Sequence, residues 1–246
     1  MNHSFKILIP DNMADRIIYV LCYDDESEKK AHEDFDKFEW ARVYRIPEEV
    51  QNHLFEGVMY QSELMKVYDE WKDKKYVGTC AYNMFKKLHW DVTFLSDENI
   101  SSYVSNRIQT ADSYEFVGFV PVVKNHIWDH IHIHPILSDL LNRNAKINPN
   151  AWLRLPVVVK NYYPFNYWMA TPRKMLEYIN YFNSRWLPAL ESHPLIWEHA
   201  GYNGKLSPER LKYLTRDRCD YYPYHPFVNE RLPSFYFERT KANMLI

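Results

Sequence analysis

Two apolar runs constrain this chain most. Residues 16–23 read RIIYVLCY and residues 75–82 read KYVGTCAY. Each is short, uncharged inside, and rich in β-branched and aromatic side chains. That is the pattern of a strand covered on both faces, as in a parallel sheet. The first run stops abruptly at Asp24, Asp25 and Glu26. Between the two lie a charged segment of helical spacing (28–38), an alternating run (41–46) closed by Pro47, and a helix start at Pro47-Glu48-Glu49. An amphipathic stretch follows at 62–71, with Leu64, Val67, Tyr68 and Trp71 at i, i+3, i+4 and i+7. Strands alternating with helices imply right-handed crossovers. The predicted class is α/β, with a central, mostly parallel (mixed) sheet flanked by helices.

The theme repeats downstream. FVGFVPVV at 116–123 and LPVVV at 155–159 read as strands, and 136–141 begins a short helix. Residues 172–189 predict a long helix opened by Pro172, with Met175, Ile179, Phe182 and Trp186 along one face. Residues 207–215 predict a helix capped by Ser207, with Pro208 at its first position and Glu209 in its first turn. No repeat or low-complexity linker divides the chain. Residues 1–246 read as a single domain, with a polar seam near 142–149 and an aromatic, proline-containing tail (221–246) that wraps the body.

Composition excludes several function classes. Only five glycines are present, with neither G-x-G-x-x-G nor G-x-x-x-x-G-K-[ST], so a dinucleotide-binding turn and a P-loop are absent. A formal net charge of −2 offers no basic excess for a nucleic-acid backbone. Cys22, Cys80 and Cys219 are odd in number and widely spaced, which excludes a disulfide scaffold or zinc ribbon and fits a cytoplasmic setting. The apolar run before Pro10 is too short for a signal-peptide core, and no stretch is long enough for a membrane span. A peripheral membrane contact stays open. The 20 tyrosines and 8 tryptophans suit stacking on a sugar or base, although packing is the commoner use of any one ring.

Three groups of residues are candidates for chemistry. Tyr23, Asp24 and Asp25 close a strand, and ligands of open α/β sheets bind beyond carboxyl strand ends. A tyrosine there suits base stacking, an aspartate suits an imide or ribose hydroxyl, and the Asp24–Asp25 pair suits Mn²⁺ or Mg²⁺. Asp97-Glu98 is a second adjacent acid pair. His126, Asp129, His130, His132 and His134 form a histidine-rich run whose alternate members share one strand face, as zinc ligands do; a polar loop is the plainer reading. Neither G-x-S-x-G nor H-E-x-x-H occurs.

Residues 62–85, SELMKVYDEWKDKKYVGTCAYNMF, resemble bacterial capsular-polysaccharide glycosyltransferases. That family's motif runs E-L-T-x-L-Y-x-x-W-K, a short gap, then Y-[IV]-G-L-C-H-Y-R-R-Y-F. Glu63, Leu64, Tyr68, Trp71 and Lys72 match its first half, and Tyr76, Val77, Gly78, Cys80, Tyr82 and Phe85 its second. Further along, Asn166, Met169, Trp186 and Leu187 resemble a family segment in which Asn precedes an apolar strand and a helix carrying W-L. Glu209, Arg210 and Leu211 resemble its late E-R-L helix. The departure is at H-Y-R-R, which here is Ala81-Tyr82-Asn83-Met84.

The resemblance implies a GT-A-like fold and transfer of a sugar from a nucleotide-diphosphate sugar to a glycan acceptor, as in polysaccharide biosynthesis. It carries Glu63, Gly78, Tyr82, Asn166, Glu209 and Arg210 forward as matched positions, and donor binding is expected at Glu63, Gly78, Tyr82, Asn166 and Arg210, at Asn83 where the family has Arg, and at Tyr23, Asp24 and Asp25. The base for an inverting reaction is expected among Glu209, Glu230 and Asp91. His225 and Glu230 in the tail are expected near the sugar pocket. Two alternatives stand beside this reading: a metal-dependent hydrolase built on His130, His132 and His134, and a carbohydrate-binding protein that lacks catalysis.

Overall fold

β1 (Arg16–Cys22) is buried at every position because it lies inside the sheet, between β2 (Ala41–Arg45) and β3 (Tyr76–Ala81). Both neighbours run parallel to it, with Val20 opposite Val43 on one side and Cys80 on the other. The computed structural model describes residues 15–91, 97–119, 163, 166–200, 208, 211, 212, 214 and 219–246, with side chains of 89–98 excepted. The strand readings at 155–159 and 120–123, the helix at 136–141, the 142–149 seam and most of the 207–215 helix lie outside the described residues.

The sheet has six strands in the order β2-β1-β3-β5-β4-β6. β4 is Phe116–Gly118, β5 is Trp168–Ala170 and β6 is Met244–Leu245. β5 is antiparallel to both β3 and β4, whereas β4 and β6 are parallel. The α/β expectation therefore stands as a mixed sheet with flanking helices. The reversed strand has only three residues, WMA, and nothing within it encodes direction.

α1 (Asp25–Phe35) begins immediately after β1 because Asp24 and Ser27 form a reciprocal capping box. The amphipathic stretch starts earlier than its periodicity predicts and is not one helix. Met59–Glu63 is a π turn, and the α turns Leu64–Lys66 and Tyr68–Trp71 are separated by a break at Val67. The Trp71 indole N–H donates to the Leu64 carbonyl at 2.8 Å across that break. α2 (Met84–Asp91) follows β3, and α3 (Asp97–Thr110) packs against it.

The predicted 172–189 helix comprises α4 (Pro172–Tyr181), a π turn at Phe182–Trp186, and α5 (Leu187–Glu191). Its expected apolar face is buried at Met175, Ile179, Phe182 and Trp186. Asn183 Nδ2 donates to the carbonyls of Ile179 and Tyr60, tying the two π turns together. The tail supplies α6 (His225–Asn229), α7 (Leu232–Arg239) and β6. Phe237 of α7 packs on Phe116 and Trp168, with ring centroids 4.7 and 5.6 Å apart. Much of the aromatic content is thus consumed in packing around β4 and β5. No helix among the described residues is long and apolar enough to cross a membrane.

Candidate functional site

The carboxyl ends of β1 and β3 are side by side, and the Tyr82 N–H donates to the Leu21 carbonyl at 3.2 Å. A cleft of about 530 Å³ opens beyond them, a size usual for small-molecule sites. Four chain segments build its walls. The β1–α1 junction supplies Asp24, Glu26 and Ser27, and the β3–α2 junction supplies Ala81, Tyr82, Asn83 and Lys87. Phe55 and Glu56 come from a 3₁₀ turn, and Tyr222, Pro226, Phe227 and Glu230 from the tail.

These walls are held by identifiable contacts. Gln51 Nε2 donates to the carbonyls of Tyr23 and Ile46, each at 2.9 Å, which fastens the 3₁₀ segment to the ends of β1 and β2. Phe55 has φ 51°, a left-handed conformation uncommon for an aromatic residue. Its ring stacks on Tyr222 with centroids 5.1 Å apart, so strain at one wall is held by packing against another. Behind the cleft, His53 and His225 both reach Glu191 Oε1, through their Nε2 atoms at 2.8 and 3.1 Å.

The lining combines carboxylates (Asp24, Glu26, Glu56, Glu230), an amide (Asn83), aromatic rings and one lysine, Lys87. A second groove of about 350 Å³ shares Glu26, Tyr82 and Asn83, and adds Lys29, Lys30, Glu33 and Lys86. An acid-rich cleft therefore adjoins a lysine-bearing groove. Polyols accept and donate hydrogen bonds with carboxylates and amides, and present apolar faces to rings. Anions are favoured at the lysines and disfavoured among the carboxylates.

Of the sequence-derived candidates, Asp24, Tyr82, Asn83 and Glu230 meet at this cleft. Asp24 Oδ1 is committed to the α1 cap, accepting the Ser27 N–H at 2.7 Å. Five others are corrected. Tyr23 is 6% exposed within the hydrophobic core, so its ring is no stacking platform for a base. Asp25 is fully exposed, pairs with Arg45 at 3.0 Å, and does not line the cleft. Asp24 and Asp25 therefore do not form a metal pair: one turns into a helix cap and the other outward to a guanidinium. Glu63 is completely buried and held by Tyr44, Ser62 and Lys66. Burial acts to raise its carboxyl, and those contacts outweigh it and keep the group below the usual range.

Gly78 lies mid-strand between Ile18 and Met169. A Cβ there would stand 2.4 Å from the Trp168 carbonyl oxygen, so packing explains the glycine. Asn166 is buried and accepts the Tyr60 hydroxyl at 3.3 Å, in a network that includes Thr79. Glu209, Arg210, His126, Asp129, His130, His132 and His134 lie outside the described residues. Asp91 ends α2, and its side chain, like those of Asp97 and Glu98, also lies outside them.

Sequence reasoning missed Glu56, Phe55, Lys87, Tyr222 and Phe227 as cleft residues, and missed His53 and Glu191 behind it. No local spacing reveals such partners: His53 and Glu191 are 138 positions apart. His225, expected at the pocket, is fully buried behind the wall. No family model matches the chain, and neither does a curated protein or a solved structure.

Proposed function

We propose that the protein is a glycosyltransferase that uses a nucleotide-diphosphate sugar and holds it in the cleft beyond β1 and β3. One observation carries the reading: Asp24, Tyr82, Asn83 and Glu230, singled out in three separate segments of the chain, line one ligand-sized cleft at adjacent strand ends. The ordered motif resemblance supports the same reading. The sugar lies among the carboxylates, Asn83 and the Tyr82 ring. The diphosphate lies toward Lys87 and the groove bearing Lys29 and Lys86, because the acid-rich part of the cleft repels it.

In this reading Glu230 is the base. Its carboxylate takes the proton of the acceptor hydroxyl as that oxygen bonds to the anomeric carbon. The bond from that carbon to the diphosphate oxygen breaks, and its electron pair leaves with the phosphate. The Asp24–Asp25 pair does not fit the Mn²⁺ or Mg²⁺ expected there, so the leaving charge is assigned to the lysines.

A second reading rests on its own observation. Ala81 and Asn83 stand on the cleft wall where the resembled family has His and Arg, and Met84, in place of the second Arg, is buried in the core. A cleft stripped of those cations suits a carbohydrate-binding protein without catalysis. A panel of nucleotide-diphosphate sugars separates the two, with binding read by thermal shift and transfer or hydrolysis by released nucleotide. Turnover that falls in Glu230→Gln supports the transferase. Binding without turnover supports the second reading, and binding to no donor or glycan defeats both.

A further inference from the structure

Behind the cleft wall, three side chains from distant parts of the chain converge. His53 belongs to the segment before the Phe55 turn, Glu191 ends α5, and His225 begins α6. One donor atom from each lies within 4.8 Å of the other two. Both imidazoles present Nε2 to the same carboxylate oxygen, at 2.8 and 3.1 Å. The rings meet edge to face with centroids 4.4 Å apart, and Trp197 packs 4.6 Å from each. His225 is fully buried, whereas the Glu191 side chain is one-third exposed. Among the described residues this is the one group of His, Cys, Asp or Glu side chains with such a geometry.

We propose that His53, Glu191 and His225 form a zinc site whose ion staples the two cleft walls to α5. The donor set selects the metal class. Two imidazole nitrogens and one carboxylate oxygen suit Zn²⁺, while Ca²⁺ and Mg²⁺ take oxygen ligands. Around a tetrahedral Zn²⁺, bonds of about 2.0–2.1 Å set neighbouring donor atoms about 3.3–3.5 Å apart. To admit the ion, the observed contacts of 2.8 and 3.1 Å widen by a few tenths of an ångström, and the two imidazole nitrogens, within 4.8 Å of each other, settle to the same spacing. Binding replaces the Nε2 protons facing Glu191 with the metal, and these leave to solvent. A water molecule entering from the exposed side of Glu191 is the fourth ligand. The indole of Trp197 supplies an apolar flank for both ligating rings.

The consequence is positional. His53 is two residues before Phe55, and His225 immediately precedes Pro226; both Phe55 and Pro226 line the cleft. An ion held by both histidines joins the 3₁₀ wall to the tail wall with bonds stronger than the aromatic stack alone. An ion bound by the folded chain and not by the unfolded one adds its binding free energy to folding stability.

The test uses the full chain stripped of metal with a chelator, then titrated with Zn²⁺ and, as a spectroscopic probe, Co²⁺. One equivalent binds, Co²⁺ shows the intense visible absorption of a four-coordinate site, and Zn²⁺ at a hundredfold excess over Kd raises Tm by about 5–10 °C. Glu191→Gln keeps an acceptor oxygen for the imidazoles and so preserves the apo fold. It and His53→Ala each weaken Zn²⁺ binding by more than about 100-fold, beyond what changes outside the ligand set produce. His132→Ala leaves binding unchanged. The proposal is overturned by failure to take up one equivalent, by uptake that survives both Glu191→Gln and His53→Ala, or by uptake lost only in His132→Ala. No sugar donor enters these measurements, so their failure and that of the transferase reading are distinguishable.

Discussion

The two ends of β1 and β3 are built from similar residues and put to opposite use. At their amino ends, Arg16 is buried, donates to the Ile108 carbonyl at 3.0 Å, and pairs with Asp15 and Asp112. Lys75 meets Asp112 at 2.6 Å, and the Tyr76 hydroxyl donates to the Tyr114 carbonyl at 2.7 Å. The hydrogen bond and charge of Lys75, with Arg16 beside it, hold the Asp112 carboxyl below the usual range. Acid, base and tyrosine close this end against one another. At the carboxyl ends, acids, Tyr82, Asn83 and Lys87 instead line an open cleft. A charged or aromatic residue at a strand end is thus no sign of function by itself. What matters is whether the residues close on one another or surround a ligand-sized space.

Substitutions at the two ends sharpen this contrast. The largest effect is expected at the open end, on activity alone. On the proposed transferase reading, Glu230→Gln lowers sugar transfer by about 10²–10⁴-fold, the range for loss of a general base. Unfolding in urea moves by no more than about 1 kcal/mol, because the amide oxygen still faces the buried Arg231, which the Glu230 carboxylate meets at 3.6 Å. A stability loss equal to that of a core mutant would instead make Glu230 structural. At the sealed end the pattern reverses. Arg16→Ala removes the stem and several charge-assisted hydrogen bonds, costing about 2–4 kcal/mol by denaturant unfolding. Donor affinity per folded molecule stays the same; if it fell in parallel, the two ends would be coupled rather than separate.

Asp24 belongs to both categories, and a pair of substitutions divides them. Asp24→Ala loses the α1 cap and costs about 1 kcal/mol, while Asp24→Ser keeps a capping oxygen and restores that stability. Weaker donor binding in Asp24→Ser, measured by calorimetry, assigns the second carboxylate oxygen to the ligand; unchanged binding leaves Asp24 a cap only. The smallest effect belongs to Asp25→Ala, which leaves unfolding and donor binding unchanged because its carboxylate is in solvent beside Arg45. A loss of binding there would return Asp25 to the site.

Legibility followed the range of the interactions. β1, β2 and β3 were visible because apolar composition over a few residues decides whether a strand is buried. The apolar face of α4 through α5 was equally visible, since burial of Met175, Ile179, Phe182 and Trp186 follows from spacing. The reversed direction of β5 was not, because strand direction depends on how the connections return. The breaks at Val67 and the two π turns were also hidden: they are settled by contacts such as Trp71 to Leu64 and Asn183 to Tyr60.

The site divides in the same way. The sequence by itself determined that two buried runs end near Asp24 and Tyr82, because apolar composition over a few residues is local chemistry; the capping box that makes Asp24 the start of α1 was not read from it. That these two ends lie side by side at one cleft came with the sheet order. Tertiary structure alone decided that Tyr23 turns into the core, that Glu63 is sealed under Tyr44, and that Phe55, Tyr222 and Glu230 complete the wall. It alone brought His53, Glu191 and His225 together. The reason is physical: a cap or an amphipathic stripe is satisfied by neighbours in the chain, whereas a cleft is satisfied by whichever distant segments the packed core delivers to it.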